Sequence, residues 1–234
     1  MITSLRQKKY RDKEGLFIAE GPKIISELVH EDLKIHSLFS TEDSKAHSEN
    51  FYHITEADLK KISALKTSNT SLAIFEIPSP QSNNSDEFIL ALDAIRDPGN
   101  LGTIIRLCDW FGVKQLVCSL DTADCYNSKV IQATMGSIAR VNVKYVKLSE
   151  YLNQTSLPIY GGVLNGDNIY LQELTGRGVV VMGNESAGIS DEIIKTLTHK
   201  ITIPQFGKEQ KTESLNVATA TAIILSEFNR STET

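Results

Sequence analysis

"LDAIRDPGNLGTIIRLCDWFGV", residues 92–113, decides how this chain is read. The apolar run "EFILALDAI" leads into it, and Leu101, Ile104, Ile105 and Cys108 follow at helical spacing. The first pattern is that of a strand covered on both faces, the second that of an amphipathic helix. Between them stand Asp97, Pro98, Gly99 and Asn100. A turn needs only Pro and Gly, so Asn100 at the mouth of the helix, with Arg106 two turns in, raises a question of chemistry.

Outward from this unit the alternation continues. Strands are expected at "KQLVCSL", "VNVKYV", "LPIYGGVLN", "GVVVMG" and "KITIP", and helices at "SKVIQATMGSIAR", "SEYLNQT", "SDEIIKTL" and "SLNVATATAIILSEF". Strand and helix in alternation predict an α/β fold with a parallel sheet. Ligands of such sheets sit beyond the carboxyl ends of the strands. Three loops qualify: 96–100, 183–190 and 204–216.

In the first loop, the Asn100 amide and the Arg106 guanidinium are candidates, the latter suited to a phosphate or a developing oxyanion. An ion pair of Arg106 with Asp109, three residues on, is the alternative. In the second loop Ser190, Asp191 and Glu192 read as helix capping, whereas Asn184 and Glu185, flanked by Gly183 and Gly188, do not. In the third, Ser214 is the expected N-cap and Asn216 falls in the first turn of a helix apolar on more than one side.

The first 80 residues read as a small mixed α/β domain. Helices are expected in part of "KEGLFIAEGPKIISELVH" and at "EADLKKISAL", and strands near "IHSLFST", "NFYHIT" and "SLAIFEI". A linker at 81–87, within "PSPQSNNSDE", separates it from a domain spanning 88–234. The stretch "RQKKYRDK", residues 6–13, gathers Lys8, Lys9 and Arg11 among five basic side chains around one tyrosine, a composition suited either to nucleic-acid phosphates, with a base-stacking option, or to a solvated end.

Composition narrows the function classes. The chain has 234 residues, 41% of them hydrophobic, and a net charge of −5, which argues against a wholly basic nucleic-acid-binding surface. No stretch approaches the roughly 20 apolar residues of a membrane span, and the beginning lacks the apolar core of a secretory signal. Neither membrane nor secretion is expected, and the reading is cytoplasmic. Cys108, Cys118 and Cys125 form no C-x-x-C pair and have no histidine at ligand spacing, so they are expected as buried free thiols with no metal. His30, His36, His47, His53 and His199 are scattered. Walker A, G-x-G-x-x-G and G-x-S-x-G signatures are lacking, and "GGVLNG" at 161–166 is a poor substitute.

Taken together, "LDAIRDPGNLGTIIRLCDWFGV", "VVVMGNESAGIS" and "ITIPQFGKEQKTESLNVATATAIILSEF" resemble motifs one, two and three of the SpoU (TrmH) family of RNA ribose 2'-O-methyltransferases, in order. "ADCYNSKVIQATMGSIARV" is similar to the segment between motifs one and two, and the likeness covers 88–230. The opening "LRQKKYRDKEGLFIAEGPKIISELV" is similar to the ribosomal-protein-like RNA-binding domain that many members carry. The resemblance implies S-adenosyl-L-methionine as methyl donor, a carboxyl-terminal trefoil knot of the SPOUT type, and a homodimer through the knotted domain. Position by position it implies Asn100, Arg106, Glu185, Ser214 and Asn216 as the catalytic set, and Met182, Gly183, Ile203, Leu215 and Asn216 as cofactor contacts. One departure is "QFGKEQKT" between "IP" and "ESLN", about three residues longer than the family's usual spacing.

A ribose hydroxyl must lose its proton as it attacks a sulfonium methyl group, and the site must hold the two in line. An arginine is very hard to deprotonate. Arg106 is therefore expected as a clamp on the oxyanion or a neighbouring phosphate, with the proton passing to solvent or to that phosphate. Ribosomal RNA is the expected substrate. A transfer-RNA methyltransferase and a non-catalytic, RNA-binding ribosome-assembly factor remain as alternatives.

Overall fold

The computed structural model describes residues 2–42, 50–65, 67, 69–79, 88–207 and 213–230. The expected linker 81–87, His47 and residues 208–212 of the long third loop lie outside them. The chain divides into two compact units, one of 1–80 with 124–140, the other of 81–123 with 141–234.

The first unit contains α1 (Lys8–Glu14), β1 (Leu16–Glu20), α2 (Pro22–His30), β2 (Ile35–Ser40), β3 (Phe51–His53), α3 (Glu56–Ile62) and β4 (Ser71–Glu76). Its sheet runs in the order β1-β4-β2-β3. Strand β1 lies inside the stretch expected to be partly helical. Gly15 and Gly21, at φ 65° and 96°, break the chain on either side of "LFIAE", and all five of its residues are buried. Leu16 and Ile18 pack with Leu5, Leu59, Leu72 and Ile74 into one core.

The second unit opens with β5 (Phe88–Asp93), α4 (Pro98–Trp110) and β6 (Gln115–Ser119). There follows α5 (Ser128–Thr134), which belongs to the first unit and packs on β1. The second unit resumes with β7 (Asn142–Val146), α6 (Leu148–Gln154), β8 (Ile159–Asn168), β9 (Gly178–Gly183), α7 (Asp191–Ile194), β10 (His199–Thr202) and α8 (Val217–Arg230). Its six strands are all parallel, in the order β10-β8-β9-β5-β6-β7, so the expected parallel α/β sheet is present. Ile89 and Ala91 of β5, with Val179 and Val181 of β9, pack against Leu148 and Leu152 of α6 and Ile193 of α7. Leu90 and Leu92 are equally buried, and α8 packs on α4 and β9. Burial on both faces is why β5 and β9 read as unbroken apolar runs. Cys108, Cys118 and Cys125 are buried free thiols.

Two features of this sheet create a site. From β5 the chain moves through β6 to β7 on one side, then crosses over, so that β9 lies on the other side of β5. That is a topological switch point. The register pairs Asp93 with Gly183, and the loops that leave β5 and β9 emerge side by side. Along β8, pairing with β10 jumps from Gly161 to Asp167, which leaves 162–166 outside the ladder beside the same loops.

Candidate active site

At this end of the sheet lies a cleft of about 980 Å³, lined by residues 162–165, 182–189, 200–207 and 213–215 and by the inner face of α8. Its wall is largely apolar: Met182, Ile201, Ile203, Leu215, Val217 and Ile224 all face it. Leu164, Phe206 and Leu215 on its lining are 69%, 82% and 48% exposed, an apolar concentration of the kind that marks a ligand-binding groove. Met182, Gly183, Glu185, Ile203, Ser214 and Leu215 therefore share one cavity.

The second loop folds back sharply. Asn184 and Gly188 exchange both backbone hydrogen bonds at 2.9 Å, and Gly188 holds φ 70°. A Cβ on Gly183 would stand 2.2 Å from the backbone of Gly188 and Ile189, so only glycine permits this turn. The loop is also tied to its neighbour, since the Ser190 N–H donates to the buried Asp93 carboxylate at 2.7 Å. Ser190, expected to cap α7, makes no side-chain capping bond.

Two ends of helices converge on Glu185. Asp97 caps α4 by accepting from the Asn100 N–H at 2.8 Å, which leaves the Asn100 side chain free to bridge. Its Nδ2 donates to Glu185 Oε1 at 2.8 Å, while its Oδ1 accepts from Asn216 Nδ2 at 2.9 Å. Asn216 is itself the N-cap of α8, its Oδ1 accepting from the N–H groups of Ala218 at 2.9 Å and Thr219 at 3.2 Å. The expectation that Ser214 caps this helix is thus corrected: α8 begins at Val217, and the cap is the residue directly before it. Ser214 lines the cleft instead. The three predicted loops accordingly meet through an Asn216–Asn100–Glu185 chain.

Arg106 is not part of that chain. Six residues beyond Asn100, it lies about 9 Å further along the helix axis and about 120° around it. It is exposed, and among the described residues no salt bridge joins it to Asp109, the expected alternative. On the same helix Trp110 is 83% exposed.

In the first unit, the basic stretch divides. Lys8 is exposed and pairs with Asp12 at 2.9 Å, and the Lys9 ammonium lies 4.7 Å from the centre of the Tyr10 ring. Arg11, expected among the RNA contacts, is only 2% exposed. Its Nε donates to Asp124 at 3.0 Å, its Nη2 bonds the same carboxylate, and its Nη1 donates to the Leu5 carbonyl at 2.8 Å. It is an internal structural residue and leaves the RNA-contacting set. Arg6 is likewise engaged, donating to the carbonyls of Ile62 and Ser63 at the end of α3.

The apolar wall at 162–165 was not among the expected site residues, and Asn184, singled out with Glu185 in the second loop, carried no expected role. The signal for the former is the Gly161–Gly162 pair inside an apolar strand, where a Cβ on Gly162 would approach the Met182 sulfur at 3.1 Å.

Comparison with known proteins agrees with this geometry. The model of the SpoU rRNA Methylase family matches residues 87–226, and that of the MRM3-like substrate binding domain matches 1–73. The 23S rRNA (guanosine(2553)-2'-O)-methyltransferase RlmP of Bacillus subtilis is 27% identical over 231 residues, covering 94% of this chain and 91% of that protein. A TrmH-family protein from Porphyromonas gingivalis shares 35% identity and superposes with a TM-score of 0.87, covering 98% of this chain and 95% of the other. An AdoMet-bound rRNA methyltransferase from Sinorhizobium meliloti shares 29% identity with a TM-score of 0.83, covering 98% and 92%. The resemblance drawn from the three loops is borne out over more than half of the sequence, and the chain belongs to the SpoU rRNA Methylase family.

Proposed function

We propose that the protein is an S-adenosylmethionine-dependent RNA ribose 2'-O-methyltransferase acting on ribosomal RNA. The observation that carries this reading is the Asn216–Asn100–Glu185 chain at the edge of an apolar cleft, assembled from three separate loops of a parallel sheet. The cleft fits the methyl donor: a tight glycine turn exposes backbone at Gly183–Gly188, apolar walls at Met182, Ile203 and Leu215 suit an adenine, and Glu185 offers an anion. When bound, S-adenosylmethionine supplies an electrophilic methyl group on a sulfonium.

Glu185 is held by the amide of Asn100, and its negative charge favours a cation beside it. Asn216 fixes which way the Asn100 amide faces, because its own Oδ1 is committed to α8. Ser214 supplies a hydroxyl to the cleft. Arg106, with no salt bridge among the described residues, is the clamp for the ribose oxyanion or a neighbouring phosphate, and the ribose proton leaves to solvent or to that phosphate. Lys8 and Lys9, both exposed on α1, contribute phosphate contacts to RNA.

The finer features of the family belong to the same proposal. The carboxyl-terminal segment forms a trefoil knot, supported by the register break at 162–166 of β8 and by α8 lining the cleft. A second copy of the chain covers α4 at its exposed Trp110, and this makes the homodimer. Three buried free thiols suit a reducing cytoplasm. No helix of the described residues is long and apolar enough to cross a membrane.

The test is transfer of a labelled methyl group to unmodified ribosomal RNA transcripts, with the 2'-O-methyl marks then mapped in cells with and without the protein. One ribosomal mark should depend on it. A mark lost only from transfer RNA would move the substrate. Unchanged marks in both RNAs, with no transfer in vitro, would leave an RNA-binding assembly factor.

A further inference from the structure

Asn184 is placed between the two loops that build the site, and its carboxamide splits its work between two atoms. Oδ1 closes the second loop by accepting from the N–H groups of Ser186 and Ala187, each at 3.0 Å. Nδ2 reaches out of the loop, donating to the Ala94 carbonyl at 2.8 Å and to Glu185 Oε2 at 3.3 Å. Glu185 is thereby gripped from both sides, with Asn100 on Oε1 and Asn184 on Oε2.

The Ala94 end is unusual. Its φ is 59°, a left-handed conformation that an L-residue with a Cβ adopts at a cost of about 1–2 kcal/mol. Such a residue persists only where its surroundings hold it. Here the Ala94 N–H donates to Ser119 Oγ at 2.8 Å and its carbonyl accepts from Asn184. Ala94 stands just ahead of the Asp97 cap that starts the Asn100 helix, so its conformation aims that helix.

Building on the proposed methyltransferase reading, we infer that Asn184 is a positioning residue: its Nδ2 ties the Glu185 carboxylate to the strained turn at Ala94, so that the first and second loops present Asn100 and Glu185 as one rigid pair. The role of Oδ1 is only to shape the loop.

The two roles separate by substitution. Asn184→Asp keeps the acceptor that closes the loop but sets an oxygen against the Ala94 carbonyl and Glu185. Asn184→Ala removes both functions. Three measurements apply: binding of S-adenosylmethionine by calorimetry, the NMR signals of the Asn100 side-chain amide (assigned with Asn100→Asp), and single-turnover methyl transfer to an unmodified ribosomal RNA transcript. For Asn184→Asp the inference expects donor affinity within about threefold of the parent, a displaced Asn100 amide signal, and turnover lower by about thirtyfold, the weight of one hydrogen bond to a charged group. Asn184→Ala should lose donor affinity as well. Parental turnover in Asn184→Asp, an unmoved Asn100 signal, or a turnover loss matched by the loss of donor binding would each overturn it. If the parent itself transfers no methyl group, the enzyme reading fails, while the amide signal and calorimetry still decide the positioning role.

Discussion

Replacing Arg11 by alanine should destabilise the first unit by about 3 kcal/mol. Arg11 is 2% exposed, and its guanidinium makes three donor contacts, two to Asp124 and one to the Leu5 carbonyl. Removing it leaves the Asp124 carboxylate, only 14% exposed, with the Tyr126 N–H at 3.1 Å as a remaining donor, and strips the Leu5 carbonyl of the Arg11 bond. Breaking a buried pair in this way costs about 3–5 kcal/mol. Asp124 keeps some access to water, which puts the expectation at the lower end. With an m-value of about 2 kcal/mol/M, the urea midpoint should fall by about 1.5 M at unchanged slope. Amide exchange within β1, which α5 packs against, reports on the same unit. The paired change Arg11→Met with Asp124→Leu should restore most of the loss, because no uncompensated charge is left. A midpoint shift below about 0.5 M, or a double variant as weak as the single one, would refute the reasoning. Arg11→Ala should also leave the salt dependence of RNA binding unchanged in the protein that remains folded, since no phosphate contact is lost.

Four further outcomes are expected. Gly183→Ala forces a Cβ against the backbone of Gly188 and Ile189 at 2.2 Å, so calorimetry should show S-adenosylmethionine affinity reduced at least about tenfold, with stability lowered by about 1–3 kcal/mol. Arg106→Ala should change the melting free energy by no more than about 0.5 kcal/mol, because no ion pair is broken, yet lower turnover by orders of magnitude; unchanged turnover removes Arg106 from the site. Lys8→Ala with Lys9→Ala should flatten the log–log salt dependence of RNA binding by up to about 0.9 per lost contact on duplex and about 0.7 on single strands, with donor affinity untouched. Burial, with Cys125 and Asp124 nearby, raises the Tyr126 phenol well above its ordinary range, and burial does the same to the Cys108 thiol. Both groups therefore hold protons more tightly when folded, so their contribution is complete below their unfolded values, about 10 for the tyrosine and about 8.5 for the cysteine, and is lost as pH rises beyond them. The urea midpoint should fall above about pH 9, and Tyr126→Phe should remove part of that fall.

The second unit was legible because its signals are periodic and local. A strand covered on both faces reads as an apolar run, and each helix between such strands shows its own stripe, so every strand from "EFILALDAI" to "KITIP" is found where the pattern puts it. What escaped was decided by contacts distant in sequence. "LFIAE" is apolar enough for a helix or a strand, and its antiparallel pairing with residues 72–76 selects the strand. Arg11 looks like its basic neighbours, but its partner Asp124 is 113 positions away, in a segment that leaves the sheet unit to join the first one.

The question raised by Asn100 has an answer of the same kind. Helix α8 would be capped as well by Ser or Asp as by Asn216, but neither would put an N–H beyond the cap. An asparagine spends its oxygen on the helix and keeps its nitrogen for a tertiary contact, as Asn216 does toward Asn100. Asn100 then repeats the division, with Asp97 serving as the cap of its own helix, so that its oxygen receives from Asn216 while its nitrogen holds Glu185. An aspartate at 100 would accept from Asn216 and repel Glu185; a serine would fall short of one partner. Propensity sees three turn-forming amides at 100, 184 and 216, each unremarkable by itself. Their common property, an acceptor and a donor used on opposite sides, becomes visible only when the sheet brings Asp93 level with Gly183 and sets the three loops within one hydrogen bond of one another.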